Sequence, residues 1–410
     1  MTSTPTQTAG SWNPELRRWL DDAARGAGFD ASGIAEVRDA ADPVAAEEAA
    51  RFTAWVDNGR AGEMDYLKRR DQAGALLRSG LHVAMPWARS VVVCALNYNA
   101  DAARSIDPAP AGTGWIARYA WSGRARDNGA ILPTDYHDEL LARLRTLETG
   151  LLARAACSTR SYVDTGPLVE RSLAVAAGIG WTGKNTCIIR QGLGSWLLLG
   201  VIVTSLPFED RNDRAASIPA PDRCGTCTRC IDACPTHALL ATSDPAAARQ
   251  MDASRCIAYL TIEKKGAIDE ELRSSIGRQV FGCDICQDVC PWNRKAPAGG
   301  SEGMQPRPEL INPTLEWLAA MDGREFKRRF KGSPLERTGR KRLLRNVAIA
   351  MGNSGDERFL PQLQAWAENT QACATNSSAP AGPVLAEAAE WARAQIAGRL
   401  APPGQNDRPR

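Results

Sequence analysis

The sequence predicts a chain in three parts: a mixed α/β (α+β) N-terminal domain, a compact cysteine-rich metal-binding module, and an all-α C-terminal tail of short antiparallel helices. Three observations predict it. Apolar, β-branched runs alternate with helix-spaced segments up to about Leu206. Cysteines then crowd into two tight motifs between Cys224 and Cys290. Beyond Pro308 the apolar residues recur at helical spacing. The boundaries read 1–206, 207–300 and 301–400, with 401–410 as a disordered tail.

In the first part, "SVVVCALNY" (Ser90 to Tyr98) and "SWLLLGVIVT" (Ser195 to Thr204) have the composition of buried strands. Thr134 to Leu147 and Leu168 to Ala177 carry helical spacing, so a sheet covered by helices is expected. The polar, proline-bearing stretches Pro207 to Arg223 and Ala296 to Pro308 read as linkers on either side of the cysteine module.

Within that module, Cys224, Cys227, Cys230 and Cys234 followed by Pro235 read C-x2-C-x2-C-x3-C-P. This is the run of a bacterial ferredoxin-like two-cluster module, whose fourth cysteine serves the neighbouring cube. The partner set is present: Cys283, Cys286 and Cys290 before Pro291, with Cys256 between the motifs. Cross-ligation gives one 4Fe-4S cluster Cys224, Cys227, Cys230 and Cys290, and leaves Cys234, Cys256, Cys283 and Cys286 for the other. Paired C-x2-C units also suit zinc, but zinc asks for neither the third close cysteine nor the two Cys-Pro endings.

In the third part, Leu343, Leu344, Val347, Ala348 and Met351 share one helix face, stopped by Gly352-Asn353-Ser354-Gly355. A second helix from Asp356 to Glu368 offers Leu360, Leu363 and Ala367. A third, after Pro383, offers Leu385, Ala388, Ala392 and Ile396. The set suits HEAT-like helices, a pair and its cap. From Arg324 to Arg345 there are ten Lys/Arg against two acids, which is either a solvated helix face or a phosphate-binding surface.

Composition excludes several classes. A net charge of +3 is too small to name a partner, and three histidines are too few for a His-rich metal centre. The N-terminus lacks an apolar signal core and no run is long enough to span a membrane, so a cytoplasmic location is expected. Such a compartment also protects free thiols. No oligomer signature is visible, and a monomer is the default. No Gly-rich dinucleotide fingerprint follows a strand and no P-loop occurs, so a nicotinamide or ATP site has no support.

The stretch "YVDTGPLVERSLAVAAGIGWTGKNTCIIRQGLGSWLLLG", Tyr162 to Gly200, holds the densest chemistry. Pro167 is expected at a helix entry with Glu170 in the first turn. Asp164 stands just outside that entry, either bracing the turn or acting chemically.

Taken together, "VDTGPLVER…GIGWTGKNT", the double cysteine motif, "RCIAYLTIE", "GRKRLLRNVAIAMGNSGD", "GEMDYLKRR", "RYAW" and "DYHDEL" resemble the epoxyqueuosine reductases, from about Phe29 to the last helix. "SGRARDNGAILPT" looks like an insertion, and Asn369 to Gly382 like a variable connection. The resemblance implies a cobalamin-binding catalytic N-terminal domain, with Arg118, Lys184, Asn185, Thr186 and Ser195 near the corrin. The chain has no D-x-H-x-x-G, so no histidine is expected on cobalt. The implied reaction reduces an epoxide to an alkene on a base in the anticodon loop of tRNA. Electrons from an external flavodoxin- or ferredoxin-like donor would pass through the clusters to cobalamin. Asp164 matches the proton donor, and such an acid should sit where burial raises its pKa. The tRNA gives the basic segment a role, with Arg337, Arg340, Lys341, Arg342 and Arg345 expected on the stem and loop.

Cys94, Cys157, Cys187 and Cys373 fall outside cluster spacing and read as small buried hydrophobes. His137 reads as a satisfied structural histidine, while Tyr259 and Glu263 have no settled place. Two other classes stay open. A corrinoid dehalogenase fits poorly with the missing export signal and the basic tail. An electron carrier without its own substrate would leave Asp164 and Lys184 unexplained.

Overall fold

The computed structural model of the chain describes residues 10–208, 220–241, 249–368 and 382–400. Cys373, the 401–410 tail and most of the 207–223 connection lie outside the described residues.

The two apolar runs become the middle of a four-stranded sheet in the order Ala31–Glu36, Ser90–Asn97, Leu197–Thr204, Thr159–Tyr162. Every neighbouring pair is antiparallel. Side chains alternate across a strand, so Val92, Cys94 and Leu96 pack under the helices Pro14–Gly26 and Tyr136–Leu152. Val91, Val93 and Ala95 face the short helix Glu170–Ala176. With both faces covered, Ser90–Asn97 is buried along its whole length. Gly33 lets that short helix close on the sheet, because a Cβ there would lie 2.1 Å from the Ala177 carbonyl oxygen.

Two local expectations are corrected. Pro167 does not open a helix: the chain bends through 164–168 and the helix begins at Glu170. Ala296 to Pro308 is not a free linker. The Gly299 amide donates to the Asn99 carbonyl at 2.7 Å, and Asn97 Nδ2 to the Pro297 carbonyl at 2.9 Å. Gln305–Pro306 then joins a hairpin made by the inserted stretch, Ser122–Ala125 with Ile131–Pro133. Polar, proline-rich composition here marks backbone groups satisfied by other loops rather than by solvent.

The C-terminal helices are Leu315–Ala319, Gly323–Phe330, Pro334–Ser354, Leu360–Glu368 and Pro383–Leu400. The longest breaks at Gly339 (φ 71°, ψ 156°) and stops at left-handed Gly355 (φ 69°). Its apolar face and that of the last helix share one core with Ile257, Leu260, Val280 and Phe281 of the cysteine module. The helical tail therefore packs as an extension of that module. No helix among the described residues is long and apolar enough to cross a membrane.

Candidate active site and cluster module

Asp164 follows the edge strand Thr159–Tyr162 with φ at 59°, a left-handed turn that aspartate tolerates better than most residues. Its side chain is 67% exposed, yet it is walled by the start of a neighbouring helix. Asp135 caps that helix by accepting the His137 amide at 3.0 Å, and so presents Tyr136 and His137 in sequence. Tyr136 Oη donates to Asp164 Oδ2 at 2.9 Å. His137 Nε2 lies 3.6 Å from the same oxygen, and Nδ1 lies 2.7 Å from Asp135 Oδ1. Arg337, from the C-terminal helices, donates through Nη2 to Asp135 Oδ2 at 2.8 Å. Its Nη1 is 2.8 and 2.7 Å from the two ring nitrogens.

These contacts overturn the expected environment of Asp164. The His137 imidazole 3.6 Å away, helped by the Tyr136 hydroxyl, holds its carboxyl down at about 2. Burial works against charge on His137, but Asp135 and then Asp164 outweigh it and the pKa rises. The two carboxylates favour a proton on the imidazole, and the Arg337 guanidinium against both ring nitrogens opposes it. Nearby, burial first and Asp164 second push Glu170 up to about 7. Tyr136, His137 and Glu170 were legible as the quoted "DYH" and "VER" strings, but nothing in their spacing joined them to Asp164.

The motif thiols influence one another's ionisation, although among the described residues no three of them stand as a ready-made metal-binding group. Cys230 lies within electrostatic reach of Cys290 and Cys224, and Cys290 also of Cys227. Cys256 and Cys283 lie within reach of each other and of Cys234, while Cys286 lies within reach of both Cys283 and Cys256. Cys224 and Cys227 sit on a largely exposed loop, and Cys230 in the short helix Arg229–Asp232 that follows it. Cys187 lies beside the second cysteine motif, its amide joined through the Asn185 side chain to the Cys286 carbonyl.

Of the five residues placed near the corrin by resemblance, three are buried in the seam between sheet and cysteine module. The Arg118 amide donates to Asp284 Oδ2 at 2.6 Å, and its guanidinium stacks 4.5 Å from the Trp196 ring. Ser195 Oγ donates to Gln287 Oε1 at 2.8 Å, and Asn185 Nδ2 to the Cys286 carbonyl at 3.4 Å. Lys184 and Thr186 remain partly exposed.

The five basic residues separate as well. Arg345 is 1% exposed and gives its guanidinium to the carbonyls of Leu260, Lys264 and Gly266 at 2.6–2.7 Å. It presents nothing to a phosphate, because every residue from Leu343 to Gly352 is buried. Arg342 spends Nε and Nη1 on the Thr338 and Ile262 carbonyls, and Arg340 spends Nε on that of Met321. Lys341 is exposed, as are Arg324, Lys327, Arg328 and Lys331 earlier in the basic run.

Residues 223–293 match the 4Fe-4S double cluster binding domain, which defines an iron-sulfur protein. Residues 78–165 match the model described as epoxyqueuosine reductase QueG, DUF1730. The epoxyqueuosine reductase of Xanthomonas campestris is 38% identical over 345 residues, 83% of this chain and 88% of that one. A crystal structure of epoxyqueuosine reductase with an epoxyqueuosine-modified tRNA-Tyr stem loop aligns at 31% identity and TM-score 0.75, covering 93% of this chain and 90% of that chain. The Bacillus subtilis enzyme, solved with its catalytic Asp loop swung out of the active site, aligns at 30% identity and TM-score 0.73 with the same coverage. The chain belongs to the epoxyqueuosine reductase family.

Proposed function

We propose that this chain reduces epoxyqueuosine to queuosine at the wobble position of tRNA, with electrons passing through two 4Fe-4S clusters to cobalamin and Asp164 delivering a proton. The observation that carries the reading is the convergence of Asp135, His137 and Tyr136 on Asp164. Arg171 lies within electrostatic reach of both Asp164 and Cys187, beside the cluster thiols. Arg171 also donates to the Thr186 carbonyl and hydroxyl at 3.1 Å, one residue before Cys187.

The overall change consumes two electrons and two protons, converts the epoxide to an alkene and releases water. Bound cobalamin would supply a strongly reducing, nucleophilic centre for opening the epoxide. The residues present fit such a group: Arg118 Nε is buried without a hydrogen-bond partner. Arg118 and Trp196 also line a concavity of about 510 Å³, where the amide side arms of a corrin would find a donor.

The chain's own residues manage the proton. At rest Asp164 is a carboxylate and His137 holds the proton. A base bound over the exposed Asp164 would exclude water, and desolvation raises a carboxylate's pKa. The proton then moves from His137 to Asp164 and on to the epoxide oxygen as the ring opens. Tyr136 keeps the accepting oxygen aimed through its hydroxyl.

The tRNA stem offers mostly phosphate, and the wobble base is single-stranded and extrudable. Arg324, Lys327, Arg328, Lys331 and Lys341 supply exposed cations for the phosphates. Arg337 serves the proton cluster instead.

The test is anaerobic turnover with added cobalamin, a chemical reductant and tRNA bearing epoxyqueuosine, read by mass spectrometry. Loss of one oxygen that requires cobalamin is expected. Intact base with both clusters loaded and corrin bound would defeat the assignment.

A further inference from the structure

We propose that the exposed ring of Tyr66 is the platform on which the extruded wobble base stacks while its epoxide reaches Asp164. The inference rests on the tRNA reading and adds a binding residue from the loop Gly62 to Arg70, which no step above employs.

Single exposed apolar side chains are ordinary on a protein surface. Among the described residues the exposed large apolar ones are Val44, Tyr66, Ile106, Leu132 and Leu152, so Tyr66 is the aromatic one, at 46% exposure. Its setting differs from that of a stray surface residue. It lies in the short turn of helix Asp65–Leu67, and the chain just before it is pinned to the cysteine module. The Glu63 amide donates to Tyr259 Oη at 2.7 Å, while the Glu63 carboxylate accepts Lys264 Nζ at 2.7 Å and the Lys265 amide at 3.0 Å. Gly62 permits this seat, because a Cβ there would lie 2.5 Å from Tyr259 Oη. Met64 packs against the core shared by the module and the helical tail, and Tyr66 stays outside.

The ring is also tied to the segment that carries Asp164. Arg78 Cζ lies over it, 5.4 Å from the centroid, and Arg78 Nη1 donates to the Leu168 carbonyl at 3.1 Å. Leu168 closes the bend that Asp164 opens. Burial first, then the charges of Glu263 and Asp164, push the Tyr66 hydroxyl up to about 12, so the ring stays neutral beside phosphate. Clamped at Glu63 and backed by Arg78, the ring can receive a base without the cost of being ordered first. A base must leave the anticodon stack before chemistry reaches its substituent. An aromatic face replaces the stacking it loses, whatever the sequence around it. Arg69, three residues on, and Lys265, at the clamp, are exposed cations for the flanking phosphates.

The test uses holoenzyme loaded with both clusters and cobalamin, without reductant, so that binding is read apart from turnover. Two fluorescently labelled anticodon stem loops are compared by anisotropy, one bearing epoxyqueuosine and one abasic at the wobble position. Iron content and melting temperature of each variant are checked first. Tyr66→Ala should weaken binding of the epoxyqueuosine loop about 5- to 150-fold, the worth of one base–aromatic stack, and leave the abasic loop unchanged. Tyr66→Phe, which keeps the ring, should bind both loops as wild type does. No loss on the epoxyqueuosine loop, or an equal loss on both loops, overturns the proposal. A loss in Tyr66→Phe as large as in Tyr66→Ala also overturns it, since the hydroxyl rather than the ring face would be the contact. Should Tyr66→Ala fail to fold, Tyr66→Leu, which keeps apolar bulk without a π-face, must show the same selective loss. Wild type that binds neither loop overturns the tRNA reading itself, and this proposal with it.

Discussion

His137 Nε2 lies 3.6 Å from Asp164 Oδ2 while its Nδ1 lies 2.7 Å from Asp135 Oδ1, so a single imidazole stands between two carboxylates. Each carboxylate stabilises the imidazolium, and the imidazolium in turn depresses both acids. The arrangement stores one proton a short transfer away from an exposed oxygen.

Replacing Asp164 with Asn keeps the shape and removes the transferable proton. Turnover should fall about 10²- to 10⁴-fold, the usual worth of a positioned acid, with iron content unchanged. Single-turnover mass spectrometry of the tRNA base checks it, and wild-type rates in the variant would remove Asp164 from the proton path.

The same imidazole makes stability depend on pH. His137 has a raised folded pKa, so its contribution is complete below the unfolded value and disappears as pH rises through the folded one. Asp135 has a lowered folded pKa, so its contribution is present above the ordinary carboxylate range and is lost as pH falls through the folded value. The melting-temperature advantage of wild type over His137→Gln should peak in mildly acidic buffer and shrink toward alkaline pH. A difference that stays level from roughly pH 5 to 9 contradicts this linkage.

Arg345 and Lys341 are neighbours in a basic run with opposite fates. Arg345→Met strands three buried carbonyls and should cost about 2–4 kcal/mol in chemical denaturation, leaving the salt dependence of tRNA binding intact. Lys341→Glu should leave stability near wild type and lower the salt slope by about 1. Reversed outcomes would place Arg345 at the RNA surface despite its burial.

Cross-ligation predicts which cysteines fail together. Cys256→Ser and Cys290→Ser should each lose about half of the bound iron, but from different clusters. Their spectra should therefore be complementary, with each variant missing the signal that the other keeps. Two variants lacking the same signal would mean that Cys290 does not cross to the Cys224 set.

The sequence alone determined the parts whose information is local. Cysteine spacing, proline endings, the apolar β-branched runs at Ser90–Asn97 and Leu197–Thr204, and the helix faces around Val347 and Ile396 are all written within a few neighbouring residues. The family likewise follows from short strings in a fixed order. Only the tertiary structure decided what long-range contact controls. It brought Arg337 across 200 positions to His137 and sank Arg345 into carbonyls contributed by 260–266. It also tied a glycine- and proline-rich stretch to the sheet and joined the Cys187 amide to the Cys286 carbonyl through Asn185. A charge or thiol has the same letter in either environment; its ionisation depends on neighbours that the chain places only by folding.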